Sequence, residues 1–477
     1  MKFENFEQLE KIFEVQKLNR WEFAQTSAIE RIQKLKKLRC ALIERKEEFY
    51  EAIWKDFHKS KFEAWATEIF PTIEEIDCAI SNLKKWMKGK RGSWVFFLPT
   101  TCSRTKFEPK GQVLVMAPWN YPLHLFISPI ASAIAAGNVV MAKPSHKTPN
   151  VSSFLTSLFE NIFRTDEVSV IEGEGAIVGE ELLKLPFDHI FFTGSPKVGA
   201  HIGEISQRYH AGITLELGGK SPTVILEDVN IKQAANRITW GKMLNAGQTC
   251  IAPDYILCPK EKVDELAEAI AEEIKQSFGE TEDARKASDD FPRIVEKKAT
   301  EHHQKMINDA VDKGAKVVIG GKCDIENRYT PPTVLKGVTA QMEIMDSEIF
   351  GPILPIVSYE NLDEAIEYIQ KHPKPLSLYI FGKSRQLVKK VLNQTTAGST
   401  CINNTIIQIE NITMPFGGVG NSGIGSYHGF YGFKAFSHER NVMHQHSFDI
   451  IKYFHPPYRQ NKVQDFLKKF LDIFKKM

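Results

Sequence analysis

Residues 112–143 read QVLVMAPWNYPLHLFISPIASAIAAGNVVMAK. The stretch opens on a short apolar run, passes through a segment at 123–136 that suits a helix, and closes on a second apolar run, NVVMAK. The window 123–142 is the most apolar in the chain, but His124, Pro129 and Asn138 interrupt it. It therefore reads as a buried helix leading into a strand and not as a membrane span.

The alternation continues downstream. A helix fits 149–163 and is followed by VSVIEG (168–173). A helix near 176–184 precedes HIFFTG (189–194), and one near 197–209 precedes ITLELGG (213–219). Five short runs rich in β-branched residues thus alternate with helical segments, which predicts a parallel, doubly wound sheet buried on both faces. A second set follows: PTVILE (222–227), YILCPK (255–260), KVVIGG (316–321), PILPIVSY (352–359) and LSLYIFGK (376–383), with helical segments at 231–244, 261–278, 295–313 and 361–371. The expected class is α/β with two doubly wound domains. Upstream, apolar residues spaced by three and four over 29–55 predict an amphipathic surface helix, and the polar stretch ETEDARKASDDFP (280–292) predicts a loop.

Composition excludes several functions. The chain has 477 residues, 42% hydrophobic and 25% charged, with a formal net charge of +2. That length predicts two or three domains, and the small charge gives no global field for a nucleic acid. Seven cysteines, at 40, 78, 102, 250, 258, 323 and 401, form no C-x-x-C pair, which points to a reducing compartment and away from a zinc ribbon. The N-terminus MKFENFEQLEKIF lacks the apolar core of a signal peptide, so the expected location is cytoplasmic.

Ligands of open parallel sheets bind beyond the carboxyl ends of the strands. There the sequence places Asn120, Lys143, Gly194 with Ser195, and Glu216 running into Gly218 and Gly219. FTGSPKVG (192–199) offers backbone N–H groups at a helix start, suited to a pyrophosphate, although a plain tight turn fits it equally well. Two patterns mislead. GGVGNSG (417–423) has the G-x-G-x-x-G spacing without a strand before it or a helix after it, and LGGKS (217–221) lacks the P-loop's first glycine because position 214 is Thr. The remaining signal is NAGQTC (245–250), where Cys250 ends a polar stretch that builds no ordinary core. An accessible thiol there, with the Asn120 amide and the Glu216 carboxylate, has the parts of a nucleophile, an oxyanion donor and a base; inert packing is the bland alternative for such a cysteine.

At these residues the chain resembles the aldehyde dehydrogenase superfamily, and looks closest to its class-three branch of fatty and aromatic aldehyde dehydrogenases. The likeness runs through PWNYP (118–122), AAGNVVMAKPS (135–145), FFTGSPKVG (191–199), LELGGKSP (215–222), NAGQTCIAPDYILC (245–258), EIFGPILP (348–355) and MPFGGVGNSGIGSYHG (414–429) in the family's order. It implies a dinucleotide-binding domain from 1–86 and 107–216, a catalytic domain over 217–405, bridging segments at 87–106 and 406–445 that join a homodimer, and a tail at 446–477. It implies that Cys250 attacks the aldehyde, that Asn120 and the backbone N–H of Cys250 hold the oxyanion, and that hydride leaves for a nicotinamide. Glu216 then activates water to release the acid. Lys143 would touch the adenosine ribose, Thr193, Gly194, Ser195 and Gly199 would line the cofactor cleft, and Glu348 and Phe350 would stand on the nicotinamide side.

His146 is a departure, because many relatives carry Glu there to bind the ribose hydroxyls. The exchange predicts use of NADP as well as NAD. The tail KVQDFLKKFLDIFKKM (462–477) predicts an amphipathic helix with Phe466, Leu467, Phe470, Ile473 and Phe474 on one side. It reads as a helix docked on protein, or alternatively as one lying weakly on a membrane surface. The competing functional class is a non-catalytic dimeric binding protein that keeps the fold.

Overall fold

The computed structural model describes residues 1–95, 98, 100–447, 452, 455–456 and 462–474. Its strands, in chain order, are β1 (Thr101–Pro109), β2 (Gln112–Met116), β3 (Val139–Lys143), β4 (Val168–Val170), β5 (His189–Gly194), β6 (Gly212–Leu217), β7 (Pro222–Ile225), β8 (Tyr255–Pro259), β9 (Lys316–Ile319), β10 (Thr333–Lys336), β11 (Ile353–Tyr359), β12 (Ser377–Phe381), β13 (Ser399–Ile402), β14 (Gly423–Ile424) and β15 (Ser437–Gln445). They form a six-stranded sheet in the order β14-β6-β5-β2-β3-β4, a seven-stranded sheet in the order β13-β12-β7-β8-β11-β10-β9, and a ribbon of β1 with β15. Within the first sheet β2, β3, β4, β5 and β6 are parallel, and only the two-residue β14 runs against its neighbour. In the second, β9 alone is antiparallel. The α/β architecture expected from the alternation is the one observed.

Several elements extend that reading. The segment 29–55 is two helices, Ala28–Glu44 and Lys46–Phe57, with the break at Arg45. The polar stretch 280–292 contains a short helix, Glu282–Ala287, because Thr281 caps it by accepting from the Ala284 N–H at 3.2 Å. Helices Phe6–Ala24 and Phe70–Met87, and strands β10 and β13, complete the layers. Within the region expected to bridge subunits, Phe416, Tyr427, Phe433 and Phe436 are buried in this chain's own first core, and the ribbon uses Ser437–Gln445. The tail helix spans Lys462–Phe474 and leaves Phe466 66% exposed. The side chains of Leu467, Ile473 and Phe474 lie outside the described residues. No helix among the described residues is long and apolar enough to cross a membrane.

Helix His124–Ala136 is buried along its whole length, so both of its ends need internal partners. At its start, Glu68 Oε2 accepts from the N–H groups of Leu123 and His124 at 2.9 and 3.1 Å, which places a negative charge at the positive end of the helix. Glu68 Oε1 meets Lys59 Nζ at 3.2 Å, and both side chains are fully buried. At its end, Arg31 donates to Ala135 O at 3.1 Å, to Ala24 O at 3.1 Å and to Thr26 Oγ1 at 2.9 Å. Gly137 closes the helix at φ +92°, where a Cβ would lie 2.4 Å from Arg31 Cζ. Glu68 itself belongs to a π turn, Trp65–Ile69, inserted between Lys61–Ala64 and Phe70–Met87.

Removing one member of a buried ion pair leaves an uncompensated charge, which costs about 3–5 kcal/mol. Glu68→Ala is therefore expected to lower stability by that amount, read from the shift of the denaturant midpoint at unchanged slope. A change below about 1 kcal/mol would remove the pair from the account of this helix.

Candidate active site

The chain reverses across the first sheet between β2 and β5, which are neighbours although β3 and β4 lie between them in sequence. A crevice opens at such a switch point beyond the carboxyl ends of the strands. Asn120 follows β2 there, and Gly194 and Ser195 close β5. Residues 218–221 join β6 to β7, so the carboxyl edge of the first sheet abuts the amino edge of the second. Gly218 permits this joint, since a Cβ on it would fall 2.0 Å from Glu348 Oε2.

The NAGQTC stretch is a loop locked by polar contacts. Asn245, Ala246 and Gly247 adopt φ of +53°, +52° and +73° in succession, a left-handed run that side chains disfavour. A Cβ on Gly247 would lie 2.3 Å from Gly351 O. The fully buried Gln248 spans the gap to the next segment: its Oε1 accepts from the Val295 N–H at 2.9 Å and its Nε2 donates to Arg293 O at 3.2 Å and Asn245 O at 3.0 Å. Glu63 Oε1 accepts from the Asn245 N–H at 2.6 Å, and Tyr121 and Thr249 share a hydroxyl contact of 2.6 Å. The polar residues ahead of the cysteine are thus the scaffold that presents it.

Two cavities meet at Cys250. One, of about 210 Å³, has a mostly apolar wall that includes Phe70, Leu125, Ile251, Ile409, Phe416 and Tyr427. The other, of about 200 Å³, is formed by Trp119, Asn120, Gly194, Ser195, Glu348 and Phe350 among others. Cys250, Glu216, Thr193 and Leu217 belong to both walls. Trp119 and Phe350 pack edge to face at 5.3 Å across the second.

The electrostatics are those of a desolvated site. Burial, with the nearby Glu348 and Glu216 carboxyls, pushes the Cys250 thiol far above its ordinary range, against the favourable backbone N–H groups of Cys250 and Ile251. The sequence reading gives Cys250 the part of the nucleophile; the surroundings of the chain alone keep its sulfur protonated. Glu216 is raised well above the carboxylate range by burial, and neither of its oxygens has a hydrogen-bond partner among the described residues. Glu348 is pushed up to about 8 by burial and by Asp254, opposed by the Gly219 N–H and by Lys220 and Lys242. Asn120 is buried, donates to Gln248 O at 3.2 Å, and accepts from Asn245 at its own carbonyl at 2.8 Å.

Three expected cofactor residues stand apart from this cluster. Gly199 lies in helix Pro196–Arg208 facing Leu217, whose Cδ2 would be 2.5 Å from a Cβ, so its smallness sets helix-to-sheet packing. Lys143 ends β3, donates to Pro144 O at 3.2 Å, and is lowered to about 8 by burial. His146 is exposed, and its Nδ1 accepts from the Gly175 N–H at 3.1 Å beside a hollow of about 300 Å³ shared with Glu172 and Glu174. Sequence reasoning missed Glu63, Tyr121, His124 and His428. Tyr121 and His428 fall inside quoted blocks, but no local pattern marks what they touch.

The second cavity, of about 200 Å³, has room for the nicotinamide end of a dinucleotide. Orphaned polar atoms of Thr193 and Glu216 face a space that ends at the β5 turn, and the half-buried carboxyl of Glu348 stands across from them. Two largely parallel sheets joined edge to edge thus place a cysteine where an α/β enzyme can act on a ligand held between two cavities.

The profile of the aldehyde dehydrogenase family matches residues 4–442, and the chain belongs to that family. It is an NAD(P)-dependent oxidoreductase acting on aldehydes, which removes the non-catalytic alternative. It is 42% identical over 413 residues to the 4,4'-diaponeurosporen-aldehyde dehydrogenase of Staphylococcus aureus, covering 87% of this chain and 88% of that protein. It is 38% identical over 437 residues to aldehyde dehydrogenase family 3 member A2 of Mus musculus, covering 91% and 88%, in keeping with the class-three likeness. The substrate-bound state of Staphylococcus aureus AldH superposes with a TM-score of 0.93 at 39% identity, covering 97% of this chain and 99% of that one. Mycobacterium tuberculosis aldehyde dehydrogenase complexed with NAD+ superposes with a TM-score of 0.79 at 27% identity, covering 90% and 88%.

The buried carboxyl of Glu216 carries a stability consequence with a defined sign. Its native proton affinity exceeds that of the unfolded chain, so stability is lost as pH rises above the unfolded value near 4.5. Glu216→Gln, neutral throughout, is expected to melt at the same or a higher temperature than the parent at pH 7 and to show a flatter dependence of Tm on pH from 5 to 8. A lower Tm with unchanged slope would show that Glu216 is stabilised in its ionised form.

Proposed function

We propose that this enzyme oxidises medium- to long-chain aliphatic or aromatic aldehydes to carboxylic acids through a covalent thioester on Cys250. The observation that carries this reading is that Cys250 and Glu216 stand on the wall common to the two cavities. The mostly apolar cavity takes the aldehyde, and its lining of Phe70, Leu125, Ile409 and Phe416 favours a hydrocarbon or aromatic body. The relative named for 4,4'-diaponeurosporen-aldehyde supports an extended apolar substrate.

Cys250 Sγ passes its proton to solvent water, and the resulting thiolate attacks the carbonyl carbon. One Asn120 N–H is occupied by Gln248 O; the second, with the backbone N–H of Cys250, holds the oxygen of the resulting thiohemiacetal. NAD or NADP, when bound, supplies the hydride acceptor for this carbon. Thr193, Gly194 and Ser195 would line the cleft that holds this group, with Glu348 and Phe350 on the nicotinamide side and Lys143 and His146 toward the adenosine ribose. The oxygen-poor surroundings of Glu216 give its ionised form a high proton affinity, so it draws a proton from water as that water attacks the thioester. The chain acts as a homodimer in this reading, with the β1–β15 ribbon as the bridging element.

Losing one oxyanion donor costs about 3 kcal/mol, so Asn120→Ala is expected to lower kcat by roughly a hundredfold with Tm retained. Glu216→Gln is expected to release one equivalent of reduced cofactor in a burst and then stall, and to lose the rise of kcat with pH that a base of raised proton affinity confers. Parental steady-state turnover in either variant removes that residue from the scheme, and parental turnover in Cys250→Ala ends it. With His146 in place of a carboxylate, kcat/KM is expected to be measurable with NADP as well as NAD; strict rejection of NADP refutes dual use.

A further inference from the structure

The cavity assigned above to the aldehyde has two imidazoles in its mostly apolar wall, His124 and His428. They differ in how their nitrogens are used. His124 Nδ1 lies 3.1 Å from both the Thr72 and Ser128 hydroxyls. His428 Nδ1 is bonded to Glu75 Oε1, while Glu75 Oε2 accepts from the Gly429 N–H at 3.0 Å, so one carboxylate grips ring and backbone together. A carboxylate only accepts, so Nδ1 is the nitrogen that donates to Glu75, and Nε2 is the one left for another partner.

That Nε2 is buried without a hydrogen-bond partner among the described residues, in a side chain only 2% exposed. The ring has little freedom to turn toward another partner. Tyr427 stacks on it at 4.2 Å, Phe416 meets it edge-on at 5.4 Å, and His124 lies nearly parallel at 6.3 Å. The backbone of His428 is held at φ +80°, a strained value for a residue with a side chain. A buried polar nitrogen left unbonded is a cost that a bound hydroxyl, able both to donate and to accept, relieves. Glu75 is kept below the usual carboxylate range despite burial by the His428 ring and the Gly429 N–H, so it remains the accepting partner.

We propose that His428 Nε2 hydrogen-bonds a hydroxyl group that the aldehyde carries away from its reacting carbon, so that the enzyme selects hydroxylated aldehydes over their hydrocarbon analogues. The proposal rests on reading this cavity as the substrate pocket of Cys250. An apolar wall alone discriminates weakly between a hydroxyl and a methyl group; a site with an unfilled polar atom rejects the methyl analogue. Glu75 is the positioning residue, fixing which nitrogen is bare.

The test compares kcat/KM for pairs matched in shape: meta- and para-hydroxybenzaldehyde against the corresponding methylbenzaldehydes, and ω-hydroxyoctanal against nonanal, with formation of the acid followed directly. The hydroxyl member is expected to be favoured by about tenfold or more in at least one pair, chiefly through KM. In His428→Phe, which keeps an aromatic ring on Tyr427, that ratio is expected to fall to about one or below. In Glu75→Gln, which loses the charged grip on the ring, the ratio is expected to fall partway toward one; the parent ratios carry the test where a variant does not fold. Ratios near one for every pair in the parent enzyme, or a ratio unchanged in the variants, overturn the proposal while leaving Cys250 chemistry intact. Absence of turnover with every aldehyde overturns the substrate-pocket reading and the proposal together.

Discussion

Gln248 has no exposed surface and uses both ends of its amide, one to receive the Val295 N–H and the other to reach the carbonyls of Arg293 and Asn245. The loop that it ties down begins with three consecutive residues at positive φ. Such a backbone persists only where its surroundings over-determine it. Here they do so from several directions: Glu63 from the helical N-terminal region, Tyr121 and Asn120 from the turn after β2, and Gly351 from the approach to β11. The sulfur of Cys250 is therefore fixed by elements of both sheets, and any shift of one sheet against the other is felt at that atom first.

The same arrangement accounts for the unpartnered polar atoms around Cys250. Both Glu216 oxygens, Thr193 Oγ1 and His428 Nε2 are buried without hydrogen-bond partners among the described residues, and all belong to the walls around Cys250. Structural carboxylates in this molecule are treated differently: Glu68 is bonded to two backbone N–H groups and a lysine, and Glu75 to a histidine and a backbone N–H. The contrast separates groups that hold the fold together from groups kept bare for a ligand. Stability is conceded at the second kind, as is usual where function and folding compete for the same residues.

Much of the architecture could be read from periodicity because buried parallel strands are continuous apolar runs, and β2, β3, β4, β5 and β6 all have that form. What escaped reading lacks such a signal. Strands β10 and β13 are four residues long, and their pairing is decided by neighbours far away in sequence. Helix Glu282–Ala287 is polar almost throughout and owes its existence to a cap. At the site, Cys250, Asn120 and Glu216 stood out because each breaks the local pattern at a strand end or loop. Lys59, Glu63, Glu75 and His428 did not, since a polar or charged residue on a helix or in a loop reads as solvated until the fold shows it turned inward. The contact of Glu75 with His428 spans 353 residues, a separation that no window analysis reaches.

The π turn at Trp65–Ile69 sets the phase of everything that follows it along the helix. A wide turn carries one residue more than the α turn it replaces, so it rotates the downstream helix by about 100° about its axis. With that offset, Thr67 and Phe70 reach the apolar cavity while Glu68 and Thr72 point into the protein interior and Glu75 meets His428 one to two turns later. Shortening this segment by a single residue would restore regular winding and turn the carboxylates of Glu68 and Glu75 out of phase with their partners together. One extra amino acid in a helix thereby acts as a gear tooth that meshes the buried charges with the pocket.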